Sequence, residues 1–207
     1  MRTYTKLLAL LVVGVTLLVA AATASAQRLE IDDLDFRSAW TEAEDLNFNT
    51  GGLTVECSVT LIGSFHSRTI RKVLRALIGS ISRATIGDCD QGTATITRAP
   101  PWHVTYEGFR GTLPIITGVR LLLRGQRFLI SKPEFGANCF TPEDSNAAGT
   151  GNIAGGVVRS LTAEPSPTIP IDDLVGSELC DFAGSGSFSG TGIVDDNAGA
   201  ALGIRLI

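Results

Sequence analysis

The chain has 207 residues and a formal net charge of −4, the length of one large domain. Removing a predicted 26-residue leader leaves 181 residues with 15 basic against 21 acidic side chains, a charge of −6. That balance excludes general nucleic-acid binding, which needs a basic face. An apolar content of 44% excludes disorder as the main state.

The leader is read from its three parts. Arg2 and Lys6 form a positive start, residues 7–22 are apolar except for Gly14 and Thr16, and Ala24-Ser25-Ala26 places small residues at the −3 and −1 cleavage positions. Cleavage before Gln27 is predicted. The apolar run is too short to cross a bilayer and no stop-transfer charges follow it. No cysteine follows the small residues to carry a lipid anchor, and no paired arginines precede the run. Later apolar runs are shorter still, so no transmembrane helix is expected and the product is predicted to be secreted or held in the cell envelope.

Residues 27–45 carry Leu29, Ile31, Leu34 and Phe36 among acids and read as an N-terminal arm or edge strand. Residues 46–207 read as a single β-rich domain. Leu46 and Phe48 precede turn chemistry at Asn49-Thr50-Gly51-Gly52. Leu53, Val55, Cys57, Val59, Leu61, Gly63 and Phe65 then alternate with polar neighbours, which predicts a long strand with one buried face. Ile70, Val73, Leu74, Leu77, Ile78 and Ile81 fall at helical spacing, so a short helix is open over 68–75, with strand from Ala76 onward.

Trp102, Val104 and Tyr106 alternate after Pro100-Pro101, Val119, Leu121 and Leu123 alternate with Arg120, Leu122 and Arg124, and Phe128 and Ile130 continue beyond Gly125. The Gly-, Ala- and Asn-rich stretch 146–156 and the Pro-rich stretch 165–170 read as surface loops. Leu202, Ile204 and Leu206 supply a closing strand. The predicted fold is all-β, an antiparallel sandwich or barrel-like meander. Alternation also fits an eight-stranded outer-membrane barrel, against which stand the irregular turns and the predicted disulfides.

Cys57, Cys89, Cys139 and Cys180 are an even number in an oxidising destination and predict two disulfides. Sequential pairing, Cys57 with Cys89 and Cys139 with Cys180, staples neighbouring parts of a sheet without crossing the chain. A metal site is not expected, because no Cys-x-x-Cys is present and the histidines lack zinc-finger spacing.

The run Cys57-Ser58-Val59-Thr60-Leu61-Ile62-Gly63-Ser64-Phe65-His66-Ser67, with Pro101-Trp102-His103-Val104-Thr105-Tyr106, Gly111-Thr112-Leu113-Pro114, Ile116-Thr117-Gly118 and Ile204-Arg205-Leu206-Ile207, resembles a group of uncharacterised small exported β-rich proteins of actinobacteria. The resemblance covers most of the chain from Leu46. It implies export and a β-rich domain, and it supplies no catalytic residue. An excess of 14 Arg over 3 Lys suits a high-G+C genome.

The chemistry-bearing candidates are few. His66 or His103 would serve as the base of a hydrolase, activating Ser64 or Ser67 with Glu107 as the orienting acid, but no Gly-x-Ser-x-Gly elbow accompanies them. Arg68, Arg71, Lys72 and Arg75 concentrate four cations in eight residues, a candidate site for an anionic envelope polymer or a lipid headgroup. Trp102 and Tyr106 would stack on a sugar only if exposed, and alternation puts them on a buried face. Asp32, Asp33, Asp35, Asp172, Asp173, Asp195 and Asp196 are oxygen donors in turns without EF-hand spacing. No glycine-rich nucleotide loop is present, so no cofactor is expected. The best reading is an exported non-catalytic binding or structural module. Its rivals are a secreted hydrolase and a small-molecule carrier, the last requiring an apolar cavity of several hundred Å3.

Overall fold

The structure is a computed structural model and describes residues 28–41, 44–50, 52–142, 145–165, 172–173, 180 and 186–207; the leader and the stretch 166–170 lie outside them. The strands in chain order are β1 (Arg28–Ile31), β2 (Asp35–Trp40), β3 (Leu46–Asn49), β4 (Thr54–Phe65), β5 (Thr69–Arg71), β6 (Leu77–Asp90), β7 (Thr93–Arg98) and β8 (Trp102–Thr112). They continue with β9 (Ile115–Arg124), β10 (Arg127–Lys132), β11 (Ala137–Phe140), β12 (Asn146–Ala154), β13 (Val157–Glu164), β14 (Asp172–Asp173), β15 (Ser187–Asp195) and β16 (Leu202–Leu206). A single 3-10 turn, Pro133–Phe135, is the only helical element among the described residues.

Strands β2, β4, β6, β8, β9, β12, β13 and β15 pair antiparallel in that order, and β15 returns to β2. The all-β expectation is therefore met by a closed eight-stranded barrel, not a sandwich. Closure satisfies both edges of every stave. Period two in β4 sends Val55, Cys57, Val59 and Leu61 into the core and leaves Glu56, Ser58 and Thr60 on the outside. An apolar inside with a polar outside is the reverse of a lipid-embedded barrel, whose outer face must be apolar.

The barrel bends where side chains are missing. A Cβ on Gly63 would collide with the Ser80 carbonyl oxygen and lie 2.7 Å from the Phe36 ring, and the β4–β6 register shifts between Ile62 and Gly63. Only glycine admits that approach of β6 to β4. On the closing pair, Arg37 stands opposite Asp195, with Nη2 donating to the carboxylate at 2.5 Å and Nε at 3.1 Å. The hydrogen bond and charge of Asp195 raise the guanidinium pKa above its already high ordinary value.

Both barrel ends carry extra strands. At the end where β2 finishes and β8 begins, β7, β10, β11 and β14 form a second sheet. From it Phe128 meets Phe48, Trp102 and Phe188 edge to face, with centroids 5.4, 5.6 and 5.4 Å apart. Such pairs add about 0.5–1.5 kcal/mol each beyond area burial. At the opposite end β16, β1 and β5 form a smaller cap that buries Leu29, Ile31, Ile70, Leu202 and Ile204.

Both disulfides have the expected pairing, Cys57 with Cys89 and Cys139 with Cys180. The first joins β4 to β6 at directly opposed residues, and the second ties β11 to Cys180. The short helix open over 68–75 does not form. Ile70 pairs with Leu29 in the β5–β1 ladder, and Val73 and Leu74 of the would-be apolar stripe are 57% and 67% exposed. Partner strand pairing outweighs a local helical period that has no core to bury in. The stretch 146–156, expected as a loop, is mostly stave β12, paired on both sides by β9 and β13. Residues 28–40, expected as an arm or edge strand, form β1 and β2, each paired on both sides.

Candidate functional site

Inside the barrel, staves of branched and aromatic side chains meet without filling the space completely. A cavity of about 130 Å3 remains, lined almost wholly by apolar groups such as Phe36, Leu61, Val104, Val119 and Leu161. Its size is close to the roughly 150 Å3 at which an engineered apolar cavity takes up benzene. This is smaller than the several hundred Å3 that a general carrier requires.

Two polar residues and one indole N–H stand against this apolar lining. Gln126, in the turn between β9 and β10, is fully buried, and neither its amide oxygen nor its amide nitrogen has a hydrogen-bond partner among the described residues. Its backbone is held in place, since the Ser145 hydroxyl donates to the Gln126 carbonyl at 2.7 Å. The preceding Gly125, at φ 84, makes the tight reversal that turns this residue inward. On stave β2, Ser38 is 1% exposed between the inward-facing Phe36 and Trp40, and its hydroxyl and the Trp40 indole N–H are likewise unpartnered among the described residues. A buried amide without a partner costs about 1–3 kcal/mol. One donor–acceptor amide, one hydroxyl and one N–H are therefore buried beside an otherwise oily chamber, behind a wall that is itself apolar.

The histidines are elsewhere. His66 lies just past β4 at the barrel rim and is exposed; His103 is exposed on the outer face of β8. Neither imidazole has a hydrogen bond or ion pair among the described residues. His103 and Ser64 are separated by β6 along the Ser64–Ser80–His103 rung, two strand spacings or about 9.5 Å. The Glu107 carboxylate accepts from the Thr105 hydroxyl at 3.0 Å. His103, Ser64 and Glu107 are thus not joined in a hydrogen-bonded triad. Trp102 is fully buried, with its indole N–H donating to the Arg98 carbonyl at 3.0 Å, and Tyr106 is 2% exposed, so neither presents a sugar-stacking face.

The turn acids have structural roles. Asp33 accepts from the Asp35 amide, Asp32 from the Gly203 amide, and Asp196 from the Ala198 and Ala200 amides. No cluster of metal-ligating side chains occurs among the described residues. Side chains of Asp172 and Asp173 lie outside the described set.

Of the four clustered cations, Arg68 donates to the Asp32 carbonyl at 2.5 Å, and Arg75 adopts φ 62 in the turn. Arg71 and Lys72 border an outer groove of about 780 Å3 with Arg28 and Arg120, and Phe109 also lines it. The Lys72 ammonium sits 5.5 Å from the Phe109 ring centroid. Burial raises the Tyr106 pKa, and the nearby positive charge of Arg120 opposes that shift.

Sequence reading did not single out Gln126 or Ser38. The signal for Ser38 was present as a polar residue midway in the inward file Phe36-Ser38-Trp40; Gln126 in a turn gives no such signal. No known protein family, curated protein or solved structure matches the chain.

Proposed function

We propose that the chain is an exported, non-catalytic binding module whose ligand occupies the barrel interior. The ligand is a compact apolar molecule, about the size of a single ring, carrying one hydrogen-bonding group. One observation carries this reading: the fully buried amide of Gln126, unpartnered among the described residues, next to an apolar cavity of about 130 Å3 into which a turn of its side chain would bring it. A carbonyl, hydroxyl or amide on the ligand would satisfy it and recover the desolvation cost that the protein otherwise bears. Export is supported by the leader-like residues 1–26, the two disulfides and the resemblance to exported actinobacterial proteins.

The test is a thermal-shift series on the processed chain with matched small molecules: toluene, benzyl alcohol, phenol, benzamide and cyclohexanone. The polar members should raise the melting temperature more than toluene at equal concentration, because only they engage the amide. That advantage should vanish in Gln126→Leu. A flat response to every member, or an advantage that survives the substitution, refutes the reading.

A further inference from the structure

The outer groove combines features that an ordinary solvated surface does not need. Arg28 and Arg71 are directly opposed in the β1–β5 ladder, a like-charge arrangement that costs stability in a sheet. Lys72 and Arg120 add two more cations, and the one carboxylate in the lining, Glu107, accepts the Thr105 hydroxyl. Gly108, at φ 138, makes room for Arg120: a Cβ there would lie 2.7 Å from its Nη2. The Arg120 guanidinium lies across this glycine and donates to the Glu107 carbonyl at 3.3 Å. All this stands on a chain that is acidic as a whole.

Beside the cations are apolar side chains that no described residue covers. Val73 and Leu74 border the groove at 57% and 67% exposure. The β8–β9 hairpin runs past the barrel rim at this same end, and its tip exposes Leu113 at 48% and Ile115 at 70%. A soluble polyanion would engage the cations and leave these side chains in water. A lipid surface engages both, with headgroup phosphates on the guanidinium and ammonium groups and the apolar tips at the acyl boundary.

We propose that this end of the barrel docks on a membrane surface bearing anionic phospholipid, through Arg28, Arg71, Lys72 and Arg120 with Val73 and Leu74 inserted. The inference is independent of the ligand reading for the interior.

Sedimentation of the processed chain with phosphatidylcholine vesicles, with and without phosphatidylglycerol, tests it. Binding should require phosphatidylglycerol and fall as salt is raised. Arg71→Gln with Lys72→Gln should weaken it about thirty-fold, the loss expected for two surface cations. Val73→Ser with Leu74→Ser should weaken vesicle binding about ten-fold or more while leaving binding to soluble poly(glycerol phosphate) unchanged. Arg159→Gln, at the exposed position of β13, should change neither. Absence of vesicle binding overturns the proposal, as does binding indifferent to the glutamine pair. Vesicle binding unaffected by the serine pair also overturns it, because the groove would then serve a soluble phosphate polymer. Inorganic phosphate that binds as tightly as the vesicles do overturns it for the same reason.

Discussion

Gln126→Leu is the substitution on which the interior reading is most exposed. Leucine has nearly the volume of glutamine and no polar atoms, so it keeps the packing around a fully buried site and removes an amide that has no partner among the described residues. An unsatisfied buried amide costs about 1–3 kcal/mol, which the substitution should return as stability. The Ser145 bond is to the backbone carbonyl of this residue and is retained. For a domain of this size each kcal/mol moves the melting temperature by about 2–4 °C, so a rise of about 2–12 °C is expected. Urea denaturation with an unchanged m-value would confirm that the gain lies in the folded state. The natural residue would then be one that sacrifices stability for binding. A loss of about 1 kcal/mol or more would show that the amide is already satisfied in the folded protein, and the ligand argument would lose its foundation.

Other expectations follow from single features. Cys57→Ala with Cys89→Ala opens a crosslink spanning 32 residues and should cost about 2–4 kcal/mol, read as a lower urea midpoint than the oxidised parent. Tyr106 is the only tyrosine beyond the leader, so absorbance titration of the processed chain reports it alone and should show a midpoint above 10. The folded state favours the neutral phenol, hence its contribution is intact below pH 10 and lost as pH rises through the folded pKa; Tyr106→Phe should remove that alkaline loss of stability. Gly63→Ala forces a Cβ against the Ser80 carbonyl and should cost about 3 kcal/mol in the same urea assay. In hydrogen exchange the Ile31 and Ile204 amides of the small cap should open at lower free energy than the Phe128 amide, and equal protection would contradict the difference drawn between the two ends.

The strands that were legible in the sequence are those with one face buried and one in solvent. In β4 the alternation of Val55, Cys57, Val59 and Leu61 with Glu56, Ser58 and Thr60 is the burial pattern itself. Stave β12 was not legible, because its residues Ala147, Ala148, Gly149 and Gly151 carry little β-propensity. They fit because neighbours press close: a Cβ on Gly149 would lie 3.2 Å from Leu161. Arg68 to Arg75 misled in the opposite direction, since helical spacing of Ile70, Val73 and Leu74 is a local coincidence that β1 overrides by pairing with β5. Barrel closure depends on β15 meeting β2, residues more than 150 positions apart, and no local pattern encodes that contact. For the same reason the interior site was hidden. Gln126 and Ser38 come from distant parts of the chain, and only closure places both beside one chamber.

The two barrel ends differ in how firmly they are held, and that difference links the cavity to the groove. At the β10 end four aromatic rings interlock under a sheet stapled by Cys139 and Cys180, so access there would require separating them together. The β16–β1–β5 cap joins the staves through two residue pairs, Val157 with Gly203 and Val158 with Leu202, and a few bonds such as that from the Ile204 amide to the Gly156 carbonyl. Short strands with so few bonds open at lower free energy than a disulfide-held aromatic cluster. Entry to the chamber is therefore expected through the cap. The cap is also where Arg28 and Arg71 face the outer groove. If both proposals hold, a chain docked at that end would take an apolar ligand from lipid without passing it through water, where its hydration would oppose the transfer. Docking and interior binding would then be coupled: vesicles carrying the ligand should load the barrel faster than ligand in solution does. Equal loading rates would leave each site standing on its own residues but would break the link between them.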